Sequence, residues 1–279
     1  MTADNKIAIV TGAGGTLCSE MAKALAAQGI KVALLGRDIQ KLRAVEKQIA
    51  AKGGVSLVVS ADVTDQASVE AAQKVILEKL GKFSILINGA GGNQTEAITT
   101  INEFDPRELN NTDPDFRGFF NLDMGRFLDV IKTNSMGSVI PSFVFGKTMA
   151  VNGGGSIINM ASMSSYRALS RVGAYAFAKA GMVSFTQWLG AYLAPANIRV
   201  NGIAPGFFLN ERSKKLLTRP EGGFTERGTS IISHSPMKKF GEAAQLIGTM
   251  NYLLDDEVSG FVTGIVIPVD GGFLACGGI

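Results

Sequence analysis

Short apolar, β-branched runs alternate along the chain with longer stretches of helical periodicity. Residues 7–10, 31–35, 55–60 and 85–88 predict strands, with helices between them at 20–28, 39–51 and 66–80. The second half continues with a helix at 124–151, a strand at 156–160, a helix at 173–192 and strands at 199–203 and 262–269. Alternation of this kind predicts a parallel sheet, because parallel neighbours need a crossover that a helix supplies. Strands that are apolar at nearly every position, not at every second one, place that sheet between two helical layers. The expected fold class is α/β, a doubly wound parallel sheet, as a single domain over 1–279 with no internal repeat or linker.

Two segments break the rhythm. "GGNQTEAITTINEFDPRELNNTDPDFRGFFNLD" follows the strand at 85–88, and its Asn/Asp-rich part defines an insertion at about 92–123. It leaves the carboxyl end of a central strand, where open parallel sheets place ligands, so a substrate-proximal loop is one reading and a tolerated surface insertion the other. The second segment, at about 207–240, is rich in Arg, Lys, Ser and Thr. It suits a lid over a polar substrate, or a solvated helical hairpin.

Composition narrows the function classes. The chain has 279 residues, 46% hydrophobic and 18% charged, enough for one large core. A net charge of +3 with scattered basic residues lacks the dense stripe of a nucleic-acid binder, while a small anionic ligand remains compatible. Cys18 and Cys276 lie at opposite ends and form neither a disulfide framework nor a metal motif, so no metal is expected. The first residues lack the pattern of a secretory leader and no apolar run reaches membrane-spanning length, so a cytoplasmic protein without a membrane partner is expected.

The turn Thr11-Gly12-Ala13-Gly14-Gly15-Thr16-Leu17-Cys18 follows the first strand. By itself it is either a structural turn or a phosphate cradle in which glycine lets the backbone approach a pyrophosphate at a helix N-terminus. The second strand ends in Gly36-Arg37, where such folds read the adenosine ribose. Arg37 there favours NADP(H) by pairing with a 2′-phosphate, Asp38 keeps NAD(H) open, and an ordinary strand-end charge is the remaining alternative.

Further residues, in this order and spacing, resemble the short-chain dehydrogenase/reductase family over nearly the whole chain. They are Thr11-Gly12, Asp62-Val63, Asn88-Gly89-Ala90-Gly91, Ser162 with Tyr175-Ala176-Phe177-Ala178-Lys179, Arg199-Val200-Asn201 and Pro205-Gly206. The resemblance implies a Rossmann-type fold and a nicotinamide dinucleotide. Gly12, Gly14, Gly15, Thr16 and Leu17 would then hold the phosphates, Asp62 and Val63 would flank the adenine, and Asn88, Ala90 and Gly91 would line the cofactor. Pro205, Gly206 and Phe208 would contact the nicotinamide. The family's three turn glycines correspond to Gly12, Thr16 and Cys18, so only the first is kept. Gly14 and Gly15 are therefore expected to carry the unusual backbone angles, with the Thr16 or Leu17 amide facing the phosphates. Cys18 fits a packing residue better than a reactive thiol.

Tyr175 and Lys179 stand at i and i+4 of one helix and share a face. A phenol titrates near pH ~10 in water, and a neighbouring ammonium is expected to lower that value towards working pH. The resemblance adds that Lys179 holds the nicotinamide ribose, that Ser162 bonds the substrate oxygen and that Asn134 supports a proton-relay water. His234 either bonds substrate from the lid or is structural. The implied reaction is reversible hydride transfer between the nicotinamide and a secondary alcohol or ketone, with Tyr175 as acid/base. A dinucleotide-binding redox sensor without catalysis is the alternative class.

The stretches "GGNQTEA", "SFTQWLGAYLA", "APGFFLNE", "LIGTMNYLLDD" and "FVTGIVIPVDGGF" are similar to the D-mannonate oxidoreductase, or fructuronate reductase, subgroup. That resemblance implies a sugar-acid substrate, with Arg167, Arg171 and Arg212 as candidates for its carboxylate and Asn93 for its hydroxyls. A gluconate 5-dehydrogenase-like activity is the alternative. Family analogy implies a homotetramer, with Phe273, Leu274 and Ile279 crossing an interface or capping their own domain.

Overall fold

The computed structural model describes residues 6–113, 115–209, 213–214 and 217–276. Its strands are β1 (Ile7–Thr11), β2 (Lys31–Gly36), β3 (Ser56–Ser60), β4 (Ile85–Asn88), β5 (Gly155–Met160), β6 (Ile198–Pro205) and β7 (Val266–Val269). All pair in parallel, in the order β3-β2-β1-β4-β5-β6-β7. The helices are α1 (Thr16–Ala27), α2 (Ile39–Ala50), α3 (Gln66–Lys79), α4 (Met124–Val151), α5 (Gly173–Leu193), α6 (Glu226–His234), α7 (Ile247–Leu254) and the short α8 (Asp256–Ser259).

Strand geometry sends alternate side chains to opposite faces, and both faces are buried. Ala8 and Val10 of β1 join Leu25 of α1, Val45 of α2 and Met250 of α7 in one apolar layer. Ile7 and Ile9 join Ile76 of α3, Phe145 of α4 and Leu189 of α5 in the other. This double burial accounts for the unbroken apolar strands of the sequence. Because β1 lies between β2 and β4, the chain leaves these central strands towards opposite faces and opens a crevice at their carboxyl ends.

Three departures from the pattern are larger than a residue or two. Helix α1 begins at Thr16, not at 20, because its buried stripe already includes Cys18 ahead of Met21, Ala22 and Leu25. Strand β7 begins at Val266, after Gly264 turns the chain with a φ of 80°. Helix α7 was hidden in an apolar run too short for its period to distinguish helix from strand.

The insertion contains three 3₁₀ turns, Thr95–Ala97, Pro106–Leu109 and Phe119–Asn121. They close around Glu108, which is 3% exposed. Its carboxylate accepts from the Phe120 amide at 2.9 Å and the Asp105 amide at 3.4 Å. Asn111 Nδ2 donates to the carbonyls of Asp113 and Phe116, both at 2.9 Å. The Asn/Asp bias is thus local side-chain bonding to backbone. In the lid segment Ile231 of α6 packs with Leu217 and Phe240 in a separate small apolar cluster. Among the described residues no helix is long and apolar enough to cross a membrane, and no group of three or more His, Cys, Asp or Glu is arranged to hold a metal.

Candidate active site

A cleft of about 550 Å³ runs along the carboxyl ends of the central strands. At its first turn the left-handed residue is Gly12, with a φ of 65°. A Cβ there would stand 2.8 Å from both Ala90 Cα and Gly89 O, so only glycine fits. Gly14 and Gly15 do not carry the unusual angles expected of them. Gly15 has φ −82° and ψ 155° as the residue before α1, and its amide closes the turn on Gly12 O at 2.9 Å. Gly14 is needed for space instead, since its Cβ would meet Lys41 Cβ at 2.8 Å.

Helix α1 has no side-chain cap and no acidic residue in its first turn. Its leading amides, Thr16 and Leu17 included, lie at the cleft and have no partner within the helix. Cys18, a thiol where the family has glycine, is accommodated by glycine across the turn: a Cβ on Gly89 would lie 2.0 Å from Cys18 Sγ. Burial pushes the Cys18 thiol up to about 11, with Lys179 acting weakly the other way, so it remains protonated and inert at neutral pH.

Strands β2 and β3 bring Arg37 and Asp62 to the far end of the same cleft, with Val63 beside them. Asp38 lines this end of the cleft as well. Its carboxylate caps α2 by accepting from the Lys41 amide at 3.1 Å, and it pairs with Lys41 Nζ at 3.4 Å. Asp62 accepts from Thr64 N at 2.9 Å and Thr64 Oγ1 at 2.8 Å, and these bonds, the backbone amide first, hold its carboxyl below the ordinary value.

Ala90 and Gly91 line the cleft, but the Asn88 side chain points into the core, donating to Ser142 Oγ and Asn159 Oδ1 at 2.9 Å each. The Thr11 hydroxyl, which the sequence reading passed over, accepts from the amides of Gly89 and Ala90 at 3.0 and 3.2 Å and joins the β1 and β4 turns. Its signal was a polar residue ending an apolar strand. Asn134 clamps the next residue: Oδ1 accepts from Gly92 N at 3.1 Å, and Nδ2 donates to Gly92 O at 2.6 Å. A side chain on Gly91 would collide with that clamp, its Cβ 2.5 Å from Asn134 Oδ1.

The inner end of the cleft gathers Ser162, Tyr175 and Lys179, with Pro205, Gly206 and Phe208 across from them. Ser162 is distinguished from its neighbours by use. Its Oγ lies at the cleft and accepts from Ser164 N at 3.1 Å, whereas Ser165 Oγ donates to Lys179 O at 2.7 Å. Lys179 is 4% exposed, and its Nζ donates to Met160 O at 2.6 Å. Burial pulls its pKa down to about 8.

Tyr175 departs from expectation. Its phenol is held above the ordinary value by burial, opposed by the Ser162 hydroxyl, and Lys179 does not lower it. The ring packs with Ala97, Phe127 and Val130, and Lys179 Nζ stands 5.7 Å from the ring centroid, engaged with Met160. Desolvation of a phenolate outweighs an ammonium at that separation.

The substrate candidates separate. Asn93 follows the clamped Gly92, and its buried Oδ1 has no partner among the described residues. Arg171 is tied to the insertion through Nε to Asn102 Oδ1 at 2.8 Å. Arg167 turns to the C-terminal segment, donating to Cys276 O at 2.9 Å near the Phe273 ring. Phe273 is buried and packs edge-on to Phe207, a capping contact within its own chain. Arg212 and Ile279 lie outside the described residues. His234 ends α6 with Nδ1 donating to Ser230 O at 2.8 Å, and it does not line the cleft.

The residues present fit a dinucleotide: a turn that admits no Cβ, uncapped helix amides, and a buried lysine at the opposite end. The family model described as enoyl-(acyl carrier protein) reductase matches residues 12–274. The chain is 44% identical over 274 residues to the uncharacterized oxidoreductase UxuB of Bacillus subtilis, covering 98% of this chain and 96% of that protein. A proposed D-mannonate oxidoreductase from Haemophilus influenza, solved with bound NAD, superimposes with a TM-score of 0.93 at 38% identity, covering 99% of this chain and 97% of that one. A proposed gluconate dehydrogenase from Agrobacterium tumefaciens gives 0.84 at 26% identity, covering 99% of each chain. The chain that carries this glycine turn, clamp and Ser-Tyr-Lys set is matched almost end to end, and the protein belongs to the short-chain dehydrogenase/reductase family, whose members bind a nicotinamide dinucleotide.

Proposed function

We propose that this oxidoreductase interconverts a secondary alcohol and a ketone on a sugar acid, with D-mannonate and D-fructuronate as the pair. The observation that carries the reaction type is the meeting of Ser162, Tyr175 and Lys179 at one end of the cleft. The similarity to the Haemophilus protein carries the substrate.

A nicotinamide dinucleotide bound along the cleft supplies the hydride chemistry. The protein's part is geometry and the proton. Ser162 Oγ holds the substrate oxygen, and the Tyr175 hydroxyl gives that oxygen its proton in reduction and recovers it in oxidation. Burial keeps Tyr175 protonated near neutral pH, so it begins as the acid that ketone reduction needs. Lys179 lies behind it, where its proton exchanges easily at a pKa of about 8. Asn134 positions the Gly91-Gly92 turn against this group.

Arg37 at the cleft favours NADP(H); Asp38 beside it and the NAD bound in the Haemophilus protein support NAD(H). The ratio of kcat/KM for the two decides. Two exposed apolar faces support a homotetramer, since two distinct two-fold contacts generate four subunits. One carries Phe143 of α4 with Phe177, Trp188 and Tyr192 of α5, and the other carries Val258, Phe261 and Ile265.

Steady-state assays over a panel of sugar acids and their ketones test the substrate. Turnover of D-fructuronate to D-mannonate supports the proposal. Activity on 5-ketogluconate with none on fructuronate replaces it with a gluconate 5-dehydrogenase, the reading favoured by the Agrobacterium structure.

A further inference from the structure

The base of the lid segment is pinned where its two ends meet. Strand β6 ends at Pro205, and the following residues carry the chain away from the sheet. At the far end of the segment the chain returns: the Gly241 amide donates to Phe207 O at 2.8 Å, and Gly241 pairs with Phe208 in an isolated parallel bridge. No left-handed φ calls for a glycine at 241. What excludes a side chain there is the ring across the bridge. A Cβ on Gly241 would stand 2.6, 2.8 and 2.9 Å from Cε1, Cζ and Cδ1 of Phe208, against about 3.5–4.0 Å for an ordinary carbon contact. The ring occupies the space that a side chain would need.

That ring is a partition. Phe208 lines the cleft at the end that gathers Ser162, Tyr175 and Lys179, and it also lines a second cavity of about 350 Å³. Gly241 lines the second cavity, with Phe207, Phe240 and Pro268, and does not line the cleft. It therefore backs the ring on the side away from the cleft. The six ring carbons move only as a unit, by rotation about χ1 and χ2. A methyl group at 241 presses on that unit from the second cavity and drives it towards the cleft.

We propose that Gly241 is a positioning residue for the reaction: having no side chain, it seats the Phe208 ring as the wall of the nicotinamide end, so that the return of the lid segment sets the width of the cleft there. The proposal rests on the nicotinamide lying beside Ser162, Tyr175 and Lys179, as read above; the identity of the sugar acid does not enter. The effect of Gly241 passes wholly through Phe208.

The test is a double-mutant cycle on the whole enzyme: wild type, Gly241→Ala, Phe208→Val and the two together. Each is titrated with NAD⁺ and NADP⁺, and with ADP-ribose and 2′-phospho-ADP-ribose, which lack the nicotinamide. Valine stays apolar and has none of the three ring atoms that meet the Cβ. For Gly241→Ala the expected result is a loss of about ten- to hundredfold in affinity for whichever dinucleotide wild type binds more tightly. Affinity for the matching ADP-ribose stays within a factor of about two, which certifies the fold. In the valine background the same alanine costs less than about twofold. Unchanged dinucleotide affinity in Gly241→Ala, or a loss that valine does not relieve, overturns the positioning role and leaves the placement of the nicotinamide untouched. A loss shared equally by the ADP-ribose and relieved by valine puts the ring against the other half of the cofactor, and overturns that placement together with the proposal.

Discussion

The cleft and the two irregular segments of the chain are built from different materials. The first turn of the cleft is backbone: Gly12 against Ala90, the amides of α1, and the Thr11 hydroxyl tying two turns that leave adjacent strands. The insertion and the 207–240 segment are held by side chains on connections: Glu108 at the heart of the insertion, Arg171 on Asn102, and the small cluster of Leu217, Ile231 and Phe240. The first is positioned by the sheet and admits almost no variation. The second is positioned by hydrogen bonds that a few substitutions could redirect, which is how one fold serves many substrates. Tyr175 belongs to both, with its hydroxyl at the cleft and its ring packed on Ala97 of the insertion.

The strongest break between binding and chemistry is Tyr175→Phe. It removes the acid/base and keeps the ring, so turnover falls about 10²- to 10⁴-fold while dinucleotide affinity, read by fluorescence titration, stays within a factor of about two. Gly12→Ala breaks the backbone end. A methyl group 2.8 Å from Ala90 Cα, at a φ of 65°, costs about 2–4 kcal/mol in chemical denaturation and abolishes tight dinucleotide binding, with hydrogen exchange in the insertion unchanged.

Lys179→Met sharpens the comparison through pH. The folded lysine has a pKa of about 8 against an ordinary 10.5, so the unfolded chain binds more protons between these values and wild-type stability rises with pH across them. The methionine variant lacks that rise. Its stability relative to wild type is greatest below about pH 8 and declines by about 1–3 kcal/mol towards pH 10.5, as read from urea midpoints. The smallest effect is expected from Glu108→Gln, which weakens the acceptor of the Phe120 amide by about 1–2 kcal/mol. Hydrogen exchange should quicken within the insertion and KM should rise, while dinucleotide affinity does not move.

The same division explains what was legible in the sequence. The parallel, doubly buried sheet and the Gly12, Ser162, Tyr175 and Lys179 positions follow from apolar runs and short motifs, because the sheet converts chain position directly into place. Backbone angles did not follow: the left-handed residue of the turn is Gly12 and not Gly14 or Gly15, since the close neighbour is Ala90, nearly eighty positions away. Nor did the protonation of Tyr175, which depends on how deeply Ala97 and Val130 bury it and on Lys179 being engaged with Met160. Arg167 and Arg171 are alike in sequence, yet one bonds the C-terminal segment and the other the insertion.

The most direct test of the central claim follows an isotope. With reduced nicotinamide dinucleotide deuterated at C4 and D-fructuronate as substrate, the account predicts one deuterium on the new carbinol carbon of D-mannonate and a proton from solvent on its oxygen. The same label transfer should be slowed about 10²- to 10⁴-fold in Tyr175→Phe. Product formed without deuterium at that carbon, or label transfer at the wild-type rate in Tyr175→Phe, would contradict it.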